Sequence, residues 1–456
     1  MRNDLPQFRV QWFKKGSSGV WDADSTDISD AVDVSSNAGI ETKNDTFTLR
    51  LKCKDDRTST LRSKYRMNTD GSDYFGIDDR IRIYVWNGPE PSSFDSKFMF
   101  DGVIREWTYE SGSGGRSLVL TGANVSEELL RVVLPATYLM TDSQHTSPDI
   151  IQAQLDRMNG LNSATLAGNY RKVYWDASNP TSGFKTISYG SAYRPVYQQI
   201  KELSTEAQTG VGDFYYYIRT DVDGKNYLVW QKKTSTVGTY DMIIEGYDYT
   251  RLKLEKGVFD AFNAAIIHCG KDPEGVGIYT WAIDAESAGK IGTRWKYLQY
   301  QKGEDLMAKE RQFNSGNFTT DSAYPTAYNY TTHFTALEND PDAPVFTAGS
   351  TVTCTNNTQF RAAIRKEAKY EAKRDGRELI RQNGKAQYRA NADLAKGTLK
   401  YTQGQLIKLI VPSMGYTISP DKSILLRLKT VAHSIGKDGW QTSLEMEQDI
   451  QTASAV

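Results

Sequence analysis

The chain has 456 residues, 39% of them hydrophobic, with 55 basic and 56 acidic side chains and a formal net charge of −1. At roughly 150 residues per domain, that length allows about three domains with sizeable cores. The charge balance excludes a global pull toward nucleic acid or anionic membrane, no apolar run approaches the roughly 18 residues of a membrane span, and Met1–Pro6 opens no secretory h-region, so folding in a cytoplasm is expected.

Residues 1–135 read as short strands separated by turns. Phe8–Phe13 is the first, and Val32 and Val34 begin a second that ends near Asn37–Gly39. Asp45–Lys54 alternates at period two, with Phe47, Leu49, Leu51 and Cys53 on one face, which marks a sheet with one buried side. A turn at Gly76–Arg80 leads into Ile81, Ile83 and Val85. Phe98–Tyr109 and Ser117–Thr121 form a hairpin across Gly112–Gly115, and a short helix follows at Ser126–Leu130. Many short strands with Gly-rich turns argue for a barrel or sandwich.

Residues 136–256 change to mixed α/β. Ser147-Pro148 opens a helix that Asn159-Gly160 is expected to stop, and Pro195 opens another through about Ala207. Phe214–Arg219 and Asn226–Gln231 form a hairpin. Residues 257–456 return to strands at Phe262–Cys269 and Ile278–Ile283. A polar insertion follows at about 302–358, then a helix at Gln359–Leu394 that Gly376 and Gly384 could break, and strands at Leu406–Val411, Ile424–Ser434 and Gln441–Gln448. The two strand–turn–strand segments, around Val103–Leu120 and Leu426–Met446, echo one another, as two related barrels would.

Chemistry is hard to find. Three cysteines are too few for a disulfide framework; Cys53 and Cys269 read as small core residues, and Cys354 lies among polar residues. None of the four histidines, His145, His268, His333 and His433, has a metal-ligand spacing, and His433 reads as a partly buried structural histidine. His268 and Cys269 are strand neighbours facing opposite sides, which is poor placement for a thiol–imidazole pair. Neither a nucleophile elbow nor a phosphate loop is present. Asp221–Lys225 reads as a hairpin turn, because a calcium loop needs a further oxygen ligand where Lys225 stands. The basic helix residues Arg361, Arg365, Lys366, Lys369, Lys373, Arg374, Arg377 and Arg381 read as a solvated or interface face. No catalytic, cofactor-binding or metal-binding residue is assigned, and no cofactor is expected.

The order of the motifs carries a resemblance. Asp45-Thr46-Phe47-Thr48-Leu49, Asp79-Arg80-Ile81-Arg82-Ile83-Tyr84, Phe100-Asp101-Gly102-Val103-Ile104 and Leu118–Asn124 come in sequence. Pro195-Val196, Phe214–Ile218 and Phe262-Asn263 follow, then Gly404-Gln405-Leu406-Ile407, Arg427–His433 (Arg-x-x-x-Val-x-His) and Gly439-Trp440-Gln441-Thr442. Together they resemble phage baseplate hub proteins, the late control protein D group, which is related to the spike barrels of type VI secretion. No lysozyme or peptidase segment accompanies them, and the 302–358 stretch has no counterpart.

The resemblance implies an α+β, β-rich chain with two tube-like β-barrel domains and an intervening α/β domain. The boundaries would be 1–135, 136–256 and 257–456, the last carrying the insertion and the helix. It further implies a non-enzymatic virion protein, assembled in the host cytoplasm, that acts as a homotrimeric ring. Such a ring adapts a hexameric tail tube to a threefold spike or fibre and forms part of the DNA ejection channel. Its partners would be other copies of itself, a tail tube or distal tail protein, a central spike or tip protein and other baseplate proteins, with phage DNA passing unbound. The alternative is a carbohydrate-binding or carbohydrate-degrading receptor-binding tail protein. A secretion spike is a third reading, weakened because no repetitive β-helix follows.

Overall fold

The structure is a computed structural model. It describes residues 6–16, 21–28, 31–41, 45–53, 65, 73–112, 115–133, 138–163, 172–182, 184, 187–191, 194–205, 214–222, 224–233, 241–258, 261–271, 275–300, 327–329, 351–353, 357–384, 386–418, 423–437 and 439–448. Two compact units form: Met1–Glu255 with Tyr388–Val456, and Lys256–Gln387. The stretch 257–456, read in sequence as one barrel with an insertion, is thus divided between them.

In chain order the first unit begins with β1 (Pro6–Phe13), β2 (Thr26–Asp27), β3 (Ala31–Gly39), β4 (Thr46–Lys52), β5 (Arg80–Asn87), β6 (Phe98–Gly112) and β7 (Gly115–Ala123). It continues with α1 (Ser126–Arg131), β8 (Tyr138–His145), α2 (Ser147–Ser163), β9 (Val173–Trp175), β10 (Ile187–Ser191) and α3 (Val196–Thr205). Next come β11 (Phe214–Thr220), β12 (Asn226–Lys232), β13 (Asp241–Ile244) and β14 (Tyr249–Gly257). The second unit holds β15 (Ala264–Lys271), β16 (Gly277–Ile283), α4 (Ala285–Ile291), β17 (Trp295–Gln299), β18 (Ala327–Asn329), β19 (Thr351–Thr353) and α5 (Asn357–Asn383). The chain then returns to the first unit with β20 (Gln387–Leu394), β21 (Leu406–Ile410), β22 (Ile424–Gly436) and β23 (Gly439–Glu447).

In the first unit, a 13-stranded sheet runs in the order β14-β20-β23-β22-β3-β4-β7-β6-β5-β1-β2, with β21 on β22 and β13 on β21. Its two halves wrap separate cores. Phe47, Leu49, Leu51, Ile81, Ile83, Ile104 and Leu120 fill the first, supplied by the period-two faces read from sequence. Ile407, Leu409, Leu426, Leu428, Val431, Leu444 and Met446 fill the second. The halves join where β3 pairs with β22, from Gly39↔Thr430 to Val34↔Ile435. This is the architecture of two tube-like barrels, the first drawn from β1–β7 and the second from β13 and β14 in mid-chain with β20–β23 at the end.

The α/β part has its own core. Trp230 is fully buried and stacks on Phe214 with ring centroids 3.8 Å apart, while its indole N–H donates to Ser204 Oγ at 2.8 Å. Helices α2 and α3 supply Ile150, Leu155, Met158, Val196, Ile200 and Leu203 to the same cluster. Glu41, just past β3, fixes this core to the sheet: its N–H donates to Tyr216 O at 2.8 Å and its C=O accepts from the Tyr197 hydroxyl at 3.1 Å.

Two helix ends differ from the sequence expectation. Helix α2 runs past Asn159-Gly160 to Ser163. Asn159 does not stop it, because its side chain bridges to β9 instead, donating to Val173 O and accepting from Val173 N, both at 2.9 Å. The basic helix stops at Asn383, and Gln387–Leu394, expected to be helical, is strand β20. Gly384 marks the break. Beyond it Ala390, Ala392 and Leu394 are buried at period two against β23, so tertiary pairing overrides the helix propensity of alanine. Gly376 does not break α5; it gives close approach to Ile267, whose Cδ1 would lie 2.2 Å from a Cβ there. Most of the 302–358 stretch lies outside the described residues, apart from the short β18–β19 ladder and the first residues of α5.

An ion triad pins β5 to β6. Asp101, with a side chain 0% exposed, accepts from Arg80 Nε at 2.9 Å, Arg80 Nη2 at 2.6 Å and Arg82 Nε at 2.8 Å. The tip glycine of the β11–β12 hairpin, Gly224 (φ +82°), sits against both guanidiniums, and a Cβ there would lie 2.2 Å from Arg80 Nη2. Removing the carboxylate takes away the acceptor that the two part-buried guanidiniums share. The expected cost of Asp101→Ala is about 3 kcal/mol of unfolding free energy. Urea unfolding measures it, and a loss under ~1 kcal/mol would show that the triad is a surface-type pair.

Candidate assembly surfaces

The motif residues noted in sequence come together as structural anchors. Asp79, in the turn before β5, is 1% exposed and accepts from Trp12 Nε1, Lys15 N and Gly76 N, each at 2.8 Å. Burial holds its carboxyl above the ordinary carboxylate range, against the opposing pull of the three donors. Asp45 accepts from Gly39 N at 3.0 Å and Asn124 Nδ2 at 2.9 Å, and Asn124 Oδ1 accepts from Ser126 N at 2.7 Å. The β3–β4 turn is thereby tied to the end of β7 and the start of α1.

The C-terminal motifs act the same way. Arg427 Nη1 donates to Gly404 O at 2.7 Å, and its guanidinium lies 4.5 Å from the Tyr215 ring centroid. Gly404 (φ +79°) is pressed against that ring, with 2.3 Å from a built Cβ to Tyr215 Cε2. His433 is 8% exposed, with Nδ1 3.1 Å from Thr442 Oγ1 and 3.4 Å from Trp440 Nε1. An indole N–H can only donate, so Nδ1 accepts and the ring is the Nε2–H tautomer. Thr442 is itself fully buried and accepts from Thr398 N at 3.0 Å. The "Val-x-His" and "Gly-Trp-x-Thr" elements are therefore one hydrogen-bonded clasp across the β22–β23 hairpin.

The cysteines and the other histidines follow suit. Cys53 and Cys269 are buried and free, and burial pushes the Cys269 thiol up to about 12. Cys269 faces α5 with Ala265 and Ile267, whereas His268 lies against the Tyr279 ring at 5.0 Å, so the two diverge as strand neighbours should. Asp221–Lys225 is a hairpin turn closed by Asp221 N to Lys225 O at 2.8 Å. On α5, Lys366 and Lys369 are exposed. Cys354 and His333 lie outside the described residues. Among the described residues no three His, Cys, Asp or Glu side chains gather as a metal site requires, and no helix is long and apolar enough to cross a membrane.

What the sequence reading missed is a surface. Across the junction of the two halves, residues align in register on the face opposite the cores. One row is Gln441–Ser434–Ser35–Thr48–Thr121, and the next is Ser443–Ala432–Asn37–Thr46–Ala123. Every side chain in these two rows is small or polar and none is charged. The rows span five strands, about 19 Å at ~4.8 Å per strand. Ser35, Asn37, Thr46, Thr48, Ser434 and Ser443 line a shallow groove there. Charges flank the two rows: Glu106 lies opposite Thr121 and Asp393 opposite Ser443 at their ends, the Asp33↔Arg50 pair forms the next row beyond Ser35 and Thr48, and Glu445 follows Ser443 on β23. The pattern is present in sequence as the polar half of each alternating strand, but only the β3–β22 register shows that the halves line up.

The sheet ends are the second surface. β14, at one end, has no fully buried residue, and β2, at the other, is a two-residue strand. Among the described residues, β6 beyond Ile104 pairs only with β7, and Trp107 and Tyr109 are exposed there. Such edges are templates for strand addition by another chain.

Comparison with solved structures identifies the architecture. The 43 kDa tail protein of prophage MuSo2 from Shewanella oneidensis aligns over 98% of this chain and 99% of its own, with a TM-score of 0.53 and 9% identity. The tail protein of Neisseria meningitidis MC58 aligns over 98% of this chain and 99% of its own, with a TM-score of 0.51 and 12% identity. The chain has the fold of phage tail proteins. No family model and no curated protein sequence matches it.

The clasp histidine sets a pH expectation. Burial pushes His433 down to about 4, so the folded chain holds it neutral while the unfolded chain protonates it near 6.5. Below ~6.5 the unfolded state binds more protons. The contribution is complete above that pH and is lost as pH falls toward 4. Wild type should therefore lose about 3 kcal/mol more than His433→Gln between pH 7 and pH 4. Urea unfolding of both at the two pH values checks this, and parallel losses would contradict it.

Proposed function

We propose that the chain is a non-enzymatic structural hub of a phage tail tip or baseplate. It acts in the virion as a trimeric ring between the hexameric tail tube and a threefold spike or fibre. The observation that carries this reading is the extent of the fold likeness: both tail proteins align end to end with this chain, so the whole architecture corresponds and not one module. Two cores wrapped by one sheet give each subunit two barrel units, and three copies give six. Open strand edges at β14 and along β6 supply the means of closing a ring, because pairing with a neighbour hides edges that would otherwise aggregate.

The uncharged rows on the sheet face suit the channel wall. Arginine or lysine there would bind phosphates with strong salt dependence. A row of carboxylates would repel DNA as it entered. Short hydroxyl and amide side chains do neither, so a polyanion passes without being held. The tube protein on one face and a spike or tip protein on the other are the partners this geometry calls for, with further baseplate proteins around the rim. A carbohydrate-binding reading gains from exposed aromatics, but these do not line the groove at the junction.

The test is the solution mass of the purified chain by light scattering, with negative-stain images of the same sample. A threefold ring of three chains is expected at micromolar concentration. A monomer at every concentration, both alone and with a tail-tube protein, would overturn the ring.

A further inference from the structure

The second unit contains a sheet face whose large aromatic and aliphatic side chains are exposed. Its three strands run β16-β15-β17. Ala265, Ile267, Cys269 and Ala282 point to one side and pack on Ala368, Tyr370, Ala372 and Ile380 of α5. On the other side, the register places Ile283, Ala264 and Trp295 in one row, Trp281, Ile266 and Tyr297 in the next, and Tyr279, His268 and Gln299 in a third. Ordinary strands carry polar residues on the side away from their core. Here that side is aromatic and aliphatic, and exposed: Tyr297 59%, Trp281 55%, Trp295 54%, Tyr279 49%, Ile266 44% and Ile283 37%.

We infer that this face is buried against a second copy of the chain, as a subunit contact of the ring; the inference rests on the hub reading above. Size is the first argument. Half-exposed Trp and Tyr rings with two isoleucines amount to on the order of 600 Å² of apolar surface. That reaches the top of the range seen for patches on monomers, roughly 300–600 Å². It also approaches the ~800 Å² per partner of a stable protein interface.

Chemistry is the second argument. Trp and Tyr with isoleucine between them match the core of a protein contact, and the Lys373 ammonium lies 5.7 Å from the Trp281 ring centroid. Ile266 at the middle of the grid is an aliphatic knob, suited to a protein pocket rather than to stacking on a sugar ring. A net charge of −1 sets no long-range repulsion between copies. In a threefold ring the contact is heterologous, so the face meets a different surface of its neighbour.

The test compares the wild-type chain with Trp281→Ser/Tyr297→Ser by sedimentation velocity over a concentration series, with circular dichroism to check the fold. Both side chains are more than half exposed, so truncation opens no core. Trp295→Ser is the second variant should the double one fail to fold. The expected result is a wild-type trimer and a folded variant whose subunit dissociation constant is raised at least about 100-fold. A variant that trimerises like wild type overturns this inference and leaves the ring standing. So does a glycan array signal that the variant loses without a change in mass, which would assign the face to carbohydrate. A wild-type chain that never associates overturns the ring itself, and this contact with it.

Discussion

Everything in the first unit depends on one ladder, the antiparallel pairing of β3 with β22. The six residue pairs from Gly39↔Thr430 to Val34↔Ile435 bring together segments almost four hundred residues apart. Loop-closure entropy grows only logarithmically with separation, so the distance itself costs little more than a far shorter loop would. The return is architectural. With the ladder, two hydrophobic cores share a continuous sheet, and the polar faces of both halves fall into line. Without it, each half would expose a long edge at the centre of the molecule.

Buried polar residues guard that arrangement. Asp45, Asp79, Asp101, His433 and Thr442 are all almost inaccessible, and each is met by donors or acceptors from a different strand or turn. Apolar residues of the same size would give comparable stability. What the polar ones add is register: a one-residue slip leaves a buried carboxylate unpaired, and slips are the characteristic failure of flat strands. This explains why the motifs that mark the fold in sequence, Asp-Arg-Ile-Arg, Phe-Asp-Gly-Val and Gly-Trp-Gln-Thr, cluster at anchors.

Much of the fold was legible because period-two alternation is strong where one face is buried. Phe47, Leu49 and Leu51 mark β4 in sequence and are its core face in the structure. Gln387–Leu394 was not legible, since alanine and arginine at that spacing favour a helix until β23 supplies a partner. Nor was Asn159, whose role as a bridge to β9 depends on a strand that sequence does not announce. The candidate surfaces were hidden for a different reason. Ser35, Thr48 and Ser434 are ordinary polar residues singly, and only long-range register lines them up. Trp281 and Tyr297 stand exposed because the helix α5 covers the other side of their sheet, which the sequence pattern does not show.

The central claim is that the joined sheet builds a ring with its uncharged rows facing the axis. An electron cryomicroscopy map of the assembled chain tests this most directly, by showing which side chains surround the central opening. The account predicts Ser35, Thr48, Thr121, Ser434 and Gln441 at the lumen, repeated in every subunit. A ring whose opening is lined by α5 or by the aromatic sheet face, with these rows turned to the outside, would contradict it.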